Sequence, residues 1–270
     1  MVLKQTFQYV YYFYMRFSII TISFNSEETI ERTIKSVLAQ TYKDYEYIIV
    51  DGASKDGTLD IVKHYEPQFN GKMIWRSEPD TGIYNAMNKG VEMAHGDLVG
   101  IVNSDDWLEP NALEIVAMTF ENHGYDLNTL YCGEISFHKT DGTIKRMGVN
   151  LQSFIRQANL FYIMAGIRHP ATFVPRKVYE NVGTFNDKMK LSADQDFVLR
   201  CYFNKVAFIK IPKVLSNMSE GGISTEGSMK ARKISETDRR IMLKQFGKKG
   251  LSFYWLWYTW KFRGFVGRHL

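Results

Sequence analysis

Apolar residues in the first half of the chain fall into alternating runs and stripes. Ser18 to Phe24 is a β-branched run suited to a strand covered on both faces. The polar stretch Asn25 to Glu28 carries capping residues, and Ile30, Ile34, Val37 and Leu38 then recur at helical spacing. Tyr47 to Val50 reads as a second short buried strand, running into the turn-rich stretch Asp51 to Gly57. Thr58 to Tyr65 reads as a helix, Lys72 to Trp75 as a third strand and Ser77 to Gly82 as a loop. Ile83, Ala86, Met87, Val91 and Ala94 mark one face of a further helix. Leu98 to Val102 is the fourth strand, and Pro110 to Asn122 a helix with proline in a favourable first-turn position. Strand and helix alternate, which is the pattern of a parallel sheet with crossover helices.

The second half is less regular. Thr129 to Phe137 alternates as a strand does, and Asp141-Gly142 predicts a hairpin turn. Leu151 to Leu160 and Leu191 to Phe203 read as helices, Val206 to Ile211 as a strand, and the charged stretch Thr225 to Gln245 as a helix. No repeat and no linker interrupts the chain. One mixed α/β domain is the economical expectation for 270 residues.

Composition narrows the class only modestly. Hydrophobic residues make up 45% and charged residues 23%, an ordinary globular balance. The formal charge of +5 suits an anionic substrate or an anionic membrane surface. A nucleic-acid partner is not expected, because no dense Lys/Arg stripe is interleaved with aromatics. Cys132 and Cys201 sit far apart in apolar surroundings and read as two buried, reduced thiols of a cytosolic protein. No apolar run is long enough to predict a spanning helix. The aromatic patch Phe7 to Tyr14 makes a poor signal peptide; Met15 is the expected true start, with the first 14 residues a mis-called extension or, alternatively, an interfacial anchor, and the N-terminal extension is set at 1–15 ahead of the fold.

Chemistry enters at Ile101-Val102-Asn103-Ser104-Asp105-Asp106-Trp107. Two adjacent carboxylates directly follow a buried strand, where ligands bind in open α/β sheets. Paired acids losing hydration repel each other, so something positive must offset the cost. A hard divalent cation holding a phosphate meets that need. Polar clusters also end the other three strands, at Asn25 to Glu27, at Asp51, and at Glu78 to Asp80. Loops at one sheet edge would gather all four into a single crevice.

These residues resemble glycosyltransferase family 2. The resemblance is carried by Ser18 to Asn25, Ile48 to Thr58, Gly82 to Gly90, and Gly96-Asp97 followed by Asn103 to Asp106. It covers roughly residues 16–223 in the right order and spacing. It implies a GT-A fold, with a Rossmann-like, mostly parallel sheet flanked by helices and a smaller acceptor-side region. The expected divisions are a nucleotide-sugar-binding half at 16–125, an acceptor-binding half at 126–223, and a helical, aromatic C-terminal tail at 224–270.

The implied activity is inverting transfer of a sugar from a nucleotide-sugar donor, expected to be a UDP-sugar, to a glycan or lipid-linked saccharide acceptor. Asp105 corresponds to the last acid of the family's DxD motif and is expected to bind Mn²⁺ or Mg²⁺ across the diphosphate. Asn103 stands where many members carry the first Asp, and with Ser104 is assigned to the donor. Asp51 matches the residue that reads the nucleotide base. Phe24, Asn25 and Glu27 are expected beside base and ribose, and Asp80 and Asn88 beside ribose or sugar. Asp106 is expected to be held by the dipole of the following helix, and Asp56 to cap the helix at Thr58. Asp194 matches the position of the catalytic base, with Ala193 where a Glu often precedes it. Asp196 and Arg200 are expected to form an intrahelical ion pair. His169 is expected to line the acceptor pocket, and Gly221 to Thr225 to form a flap over the diphosphate.

Lys244 to Leu270 mixes Lys and Arg with Trp, Tyr and Phe, a composition suited to a membrane interface or to a homodimer contact. The resemblance implies work at the inner face of the plasma membrane, in bacterial cell-surface polysaccharide synthesis. The alternative is a non-catalytic nucleotide-sugar-binding or scaffold protein that retains the fold.

Overall fold

The computed structural model describes residues 16–159, 166–221 and 229–246. The first half alternates as its apolar pattern demands: β1 (Phe17–Ser23), α1 (Ile30–Leu38), β2 (Tyr45–Asp51), α2 (Thr58–Tyr65), β3 (Met73–Ser77), α3 (Ile83–Met93) and β4 (Leu98–Ile101). A two-residue strand β5 (Trp107–Leu108) precedes α4 (Ala112–Asn122). The second half holds β6 (Thr129–His138), β7 (Ile144–Met147), α5 (Leu151–Asn159), β8 (Thr172–Pro175), α6 (Arg176–Val182), α7 (Ala193–Phe203), β9 (Ala207–Ser219) and α8 (Met229–Gln245).

All strands join one sheet in the order β3-β2-β1-β4-β8-β6-β9-β5, with β7 on β6. β3, β2, β1 and β4 are mutually parallel, and β8 then pairs antiparallel with both β4 and β6. Strand periodicity divides the core into two layers. Phe17, Ile19, Tyr47 and Ile49 face one side with Ile30, Ile34 and Val37 of α1, Val62 of α2 and Val116 of α4. Ile20, Ile22, Ile48 and Val50 face the other with Met87 and Val91 of α3 and Phe197 of α7. Both faces are covered, so β1 and β2 are buried along their whole lengths. α3 lies close to the sheet at Gly90, where a Cβ would meet the Ile20 side chain at 2.5 Å.

Three segments depart from the sequence pattern. β9 runs eight residues past the expected end at Ile211, to Ser219. Pro212 breaks the alternation, and register shifts where β6 faces β9 between Cys132 and Ile135 absorb it. β8 and α6 are too short, and too closely flanked by Pro170 and Pro175, to show a period. α4 begins at Ala112, two residues after Pro110. Cys132 and Cys201 are free and fully buried, and burial pushes both thiols up to about 12. No helix among the described residues is long and apolar enough to cross a membrane. The start expected at Met15, the flap beyond Gly221 and the aromatic stretch 251–270 lie outside the described residues.

Candidate active site

The parallel strands bring the segments 24–29, 52–57, 78–82 and 102–106 to one sheet edge. Polar side chains tie these loops together. The Asn25 backbone is left-handed (φ 48°); its N–H donates to Ser54 Oγ at 2.8 Å and its Oδ1 accepts the Lys55 N–H at 2.9 Å. Glu27 Oε2 accepts the Gly57 N–H at 2.6 Å. The Ser26 and Ser104 hydroxyls share a hydrogen bond of 2.8 Å. Asp56 accepts both the N–H and the hydroxyl of Thr58 at the start of α2. The side chains of Asn25, Glu27 and Ser104 are thus engaged between loops at this edge.

Asp51 sits beneath these loops. Its residue is 0% exposed, and its carboxylate accepts the Ser23 hydroxyl at 3.1 Å, the Ser54 N–H at 2.9 Å, the Ser54 hydroxyl and the Ser77 hydroxyl at 2.7 Å. Both oxygens accept hydrogen bonds inside the protein. Asp51 is the keystone under the loops. The surface above it belongs to Phe24, which is 63% exposed, and to Asp80. A Cβ on Gly52 would lie 2.7 Å from Asp80 Oδ2 and 3.1 Å from the Phe24 ring, so only glycine lets those two side chains converge there.

The acid loop carries the most unusual electrostatics of the described chain. Asn103 Oδ1 and Asp106 Oδ2 are buried without a hydrogen-bond partner. Burial pushes the Asp106 carboxyl well above the usual carboxylate range, and Asp105 beside it adds to the shift. Burial also raises Asp105. Asp106 does not answer to a helix end: its Oδ1 accepts the Ser219 N–H at 3.3 Å, which joins the acid loop to the end of β9. A cation is already present. Arg32 of α1 donates to the Asp105 carbonyl at 2.7 Å and to the Ser219 hydroxyl at 2.9 Å, and stacks 3.8 Å from the centre of the Trp107 ring. Burial lowers its pKa, while Asp106 and Asp105 pull it up.

Asp194 is the second residue of α7, and its Oδ1 accepts the Tyr84 hydroxyl at 3.1 Å. Tyr84 is the second residue of α3, the helix that leaves the carboxyl end of β3, so Asp194 is held at the same sheet edge as the acid loop. Burial next to this carboxylate pushes the Tyr84 phenol well up. Lys190 Nζ donates to the Thr81 carbonyl at 2.8 Å. Asn88 is tied to the acceptor half: its amide donates to the Phe185 carbonyl and accepts the Phe185 N–H, both at 2.9 Å. His169 packs edge-on against Phe185, with ring centroids 5.6 Å apart, and its buried Nε2 has no partner. Burial lowers its pKa and the Asp194 charge opposes the shift. The Asp196–Arg200 pair forms at 2.8 Å, with Asp196 0% exposed. Arg200 also binds the carbonyls of Val182, Gly183 and Thr184.

The family model for Glycosyl transferase family 2 matches residues 18–183. The chain belongs to this family. The matched stretch contains every loop of the acid-bearing edge and His169, and ends before Asp194. A PGL/p-HBAD biosynthesis glycosyltransferase of Mycobacterium bovis is 30% identical over 213 residues, covering 77% of this chain and 78% of that protein. The fold is the GT-A fold of solved neighbours. TarS of S. aureus, in complex with UDP-GlcNAc, aligns with TM-score 0.63 at 20% identity over 85% of this chain and 66% of that one. In a longer TarS structure the match covers 90% of this chain but only 41% of the other. The mannosyltransferase PcManGT of Pyrobaculum calidifontis, in complex with GDP-Man and Mn²⁺, aligns with TM-score 0.61 at 17% identity over 90% of this chain and 68% of that one.

Three residues of this glycosyltransferase's site were not assigned from its sequence. Arg32 is an unremarkable exposed-face position of an amphipathic helix, and no local pattern marks it. Asp106 was given to the helix dipole. Tyr84 was legible: Tyr84 and Asn88 fall on one face of α3, and both meet the segment between Phe185 and Asp194.

Proposed function

We propose that this glycosyltransferase inverts the anomeric centre of a UDP-sugar while moving the sugar to a hydroxyl of a glycan or lipid-linked saccharide, aided by a divalent cation. The observation that carries this reading is the pair of buried, unpartnered oxygens, Asn103 Oδ1 and Asp106 Oδ2, beside Asp105 at the sheet edge that also holds Asp194. Hard oxygen donors of this kind suit Mn²⁺ or Mg²⁺. Among the described residues no three His, Cys, Asp or Glu side chains form a metal cluster, so the diphosphate and water would complete the coordination around Asp105, Asp106 and Asn103. The cation, when bound, supplies Lewis-acid stabilisation of the departing nucleoside diphosphate. The complexes named for TarS and PcManGT support a nucleotide-sugar donor of this class.

The protein's own groups do the remaining work. Phe24 offers an open aromatic face for the base, and Asp80 a carboxylate for ribose or sugar hydroxyls. Tyr84 occupies one oxygen of Asp194 and leaves the other to take the proton of the acceptor hydroxyl. The acceptor oxygen forms its bond to the anomeric carbon as the bond to the diphosphate breaks, and that electron pair leaves on the diphosphate. His169 stays neutral beside Asp194 and lines the acceptor side. In this reading residues 16–125 bind the donor, residues 126–223 the acceptor, and the tail meets the inner face of the plasma membrane.

Thermal-shift titration with UDP-, GDP- and dTDP-sugars, with and without Mn²⁺, tests the reading. A midpoint raised by a UDP-sugar only when Mn²⁺ is present is the expected result. No response to any nucleotide-sugar in either condition would overturn it.

A further inference from the structure

α8 lies beyond the residues matched by the family model, yet it reaches the candidate active site through one side chain. Asp238, near the middle of α8, is 1% exposed. Its carboxylate accepts the Lys190 N–H at 3.1 Å to each oxygen, the Leu191 N–H at 2.7 Å and the Ser192 N–H at 3.0 Å. Consecutive backbone N–H groups converging on one anion form a nest, an arrangement that fixes the local backbone. The nest ends at Ser192, the residue before α7, and Asp194 follows two positions later. Met242, one turn further along α8, is buried in the core that contains Ala193 and Phe197. The segment leading to Asp194 is therefore gripped twice. α3 and the loop before it hold its side chains, through Asp194 to Tyr84 and Lys190 to the Thr81 carbonyl, and α8 holds its backbone.

We propose that Asp238 is a positioning residue for the Asp194 carboxylate, which makes α8 a working part of the catalytic domain. The proposal rests on reading Asp194 as the base. Without Asp238, three buried N–H groups lose their acceptor and the start of α7 is free to shift. Displacing a base by about an ångström costs up to roughly 100-fold in rate. Donor binding should change little, because the acid loop and Phe24 follow other strands and Asp80 keeps its own hydrogen bond to the Gly82 N–H.

The test compares the wild type with Asp238→Asn, Asp238→Glu and Asp194→Asn. Asp238→Asn removes the charge and turns one acceptor into a donor facing donors. Hydrogen exchange at the amides of 190–192 should accelerate in that variant. Turnover of the nucleotide-sugar selected by thermal shift should fall roughly 10- to 100-fold, with donor KM and the Mn²⁺-UDP midpoint shift near wild-type values. The acid limb of the kcat profile should move, and Asp238→Glu should restore part of the turnover. A folded Asp238→Asn protein with unchanged exchange at 190–192, or with unchanged turnover and pH profile, overturns the proposal. Should Asp238→Asn fail to fold, the same exchange and turnover measurements on Asp238→Glu decide, with wild-type values in both counting against it. Asp194→Asn separates the two ideas: full turnover in that variant defeats the base reading alone, and the exchange result then stands by itself.

Discussion

The hydroxyl of Tyr84 donates to Oδ1 of Asp194 across 110 positions of sequence, at 3.1 Å. The contact joins the helix after the third parallel strand to the helix that carries the proposed base. A hydrogen bond to a carboxylate favours its charged form and fixes its orientation. Tyr84→Phe should lower kcat roughly tenfold with little change in donor KM, because the ring still packs in the core. Steady-state kinetics at saturating donor measure this, and an unchanged kcat would count against Tyr84 orienting the base.

Asp105→Asn should act in opposite directions with and without metal. Burial strains both acids, and Asp105 adds to the strain on Asp106. Removing one charge should leave the metal-free protein as stable or more stable, by about 1 kcal/mol. The same substitution should abolish the additional midpoint rise that Mn²⁺ gives with UDP. Differential scanning fluorimetry in EDTA and in Mn²⁺ reads both effects; a full Mn²⁺ response in the variant would remove Asp105 from the cation site.

Asp51→Ala should destabilise the fold by about 3 kcal/mol, because the Ser23, Ser54 and Ser77 donors lose their shared acceptor in a buried place. Urea unfolding measures the loss. UDP binding to the fraction still folded should persist. The opposite pattern, unchanged stability with binding lost, would return Asp51 to the nucleotide base.

His169 sets a pH dependence on the acid side. Burial depresses its folded-state pKa below the ordinary value, so the unfolded chain takes up a proton first as pH falls. The stability tied to the neutral ring is present above the unfolded pKa, about 6.5, and is lost as pH falls through that value. Denaturant midpoints compared at about pH 7.5 and pH 5.5 should therefore drop less for His169→Gln than for the wild type. Equal drops would show that His169 is not held neutral.

Much of the donor side was legible because its signal is local. β-branched runs and 3.6-residue stripes predict β1 to β4 and α1 to α3, and a parallel sheet necessarily collects the loops after its strands at one edge. The resemblance then pointed to Asp105 and Asp194. What the local pattern left open was the fate of particular polar atoms. Asp51 and Asn88 bear donor and acceptor groups that fit a ligand as well as they fit a loop hydroxyl or a peptide group. Only the three-dimensional neighbours Ser54, Ser77 and Phe185 decide between the two. Arg32 and Asp238 were invisible for the same reason, since their partners lie 73 and 46 to 48 positions away. β9 was cut short because Pro212 breaks a pattern that the bulge opposite repairs.

Tyr84 and Asn88, about one turn apart on α3, make that helix a ruler. Its pitch sets how far the base sits from the Phe185 corner, and both distances are indexed to β3 through the loop just before it. One residue inserted between Tyr84 and Asn88 would rotate everything downstream by about 100°, so the chain could keep its grip at one mark or the other but not both. The four-residue step from Tyr84 to Asn88 therefore couples the position of Asp194 to that of Phe185.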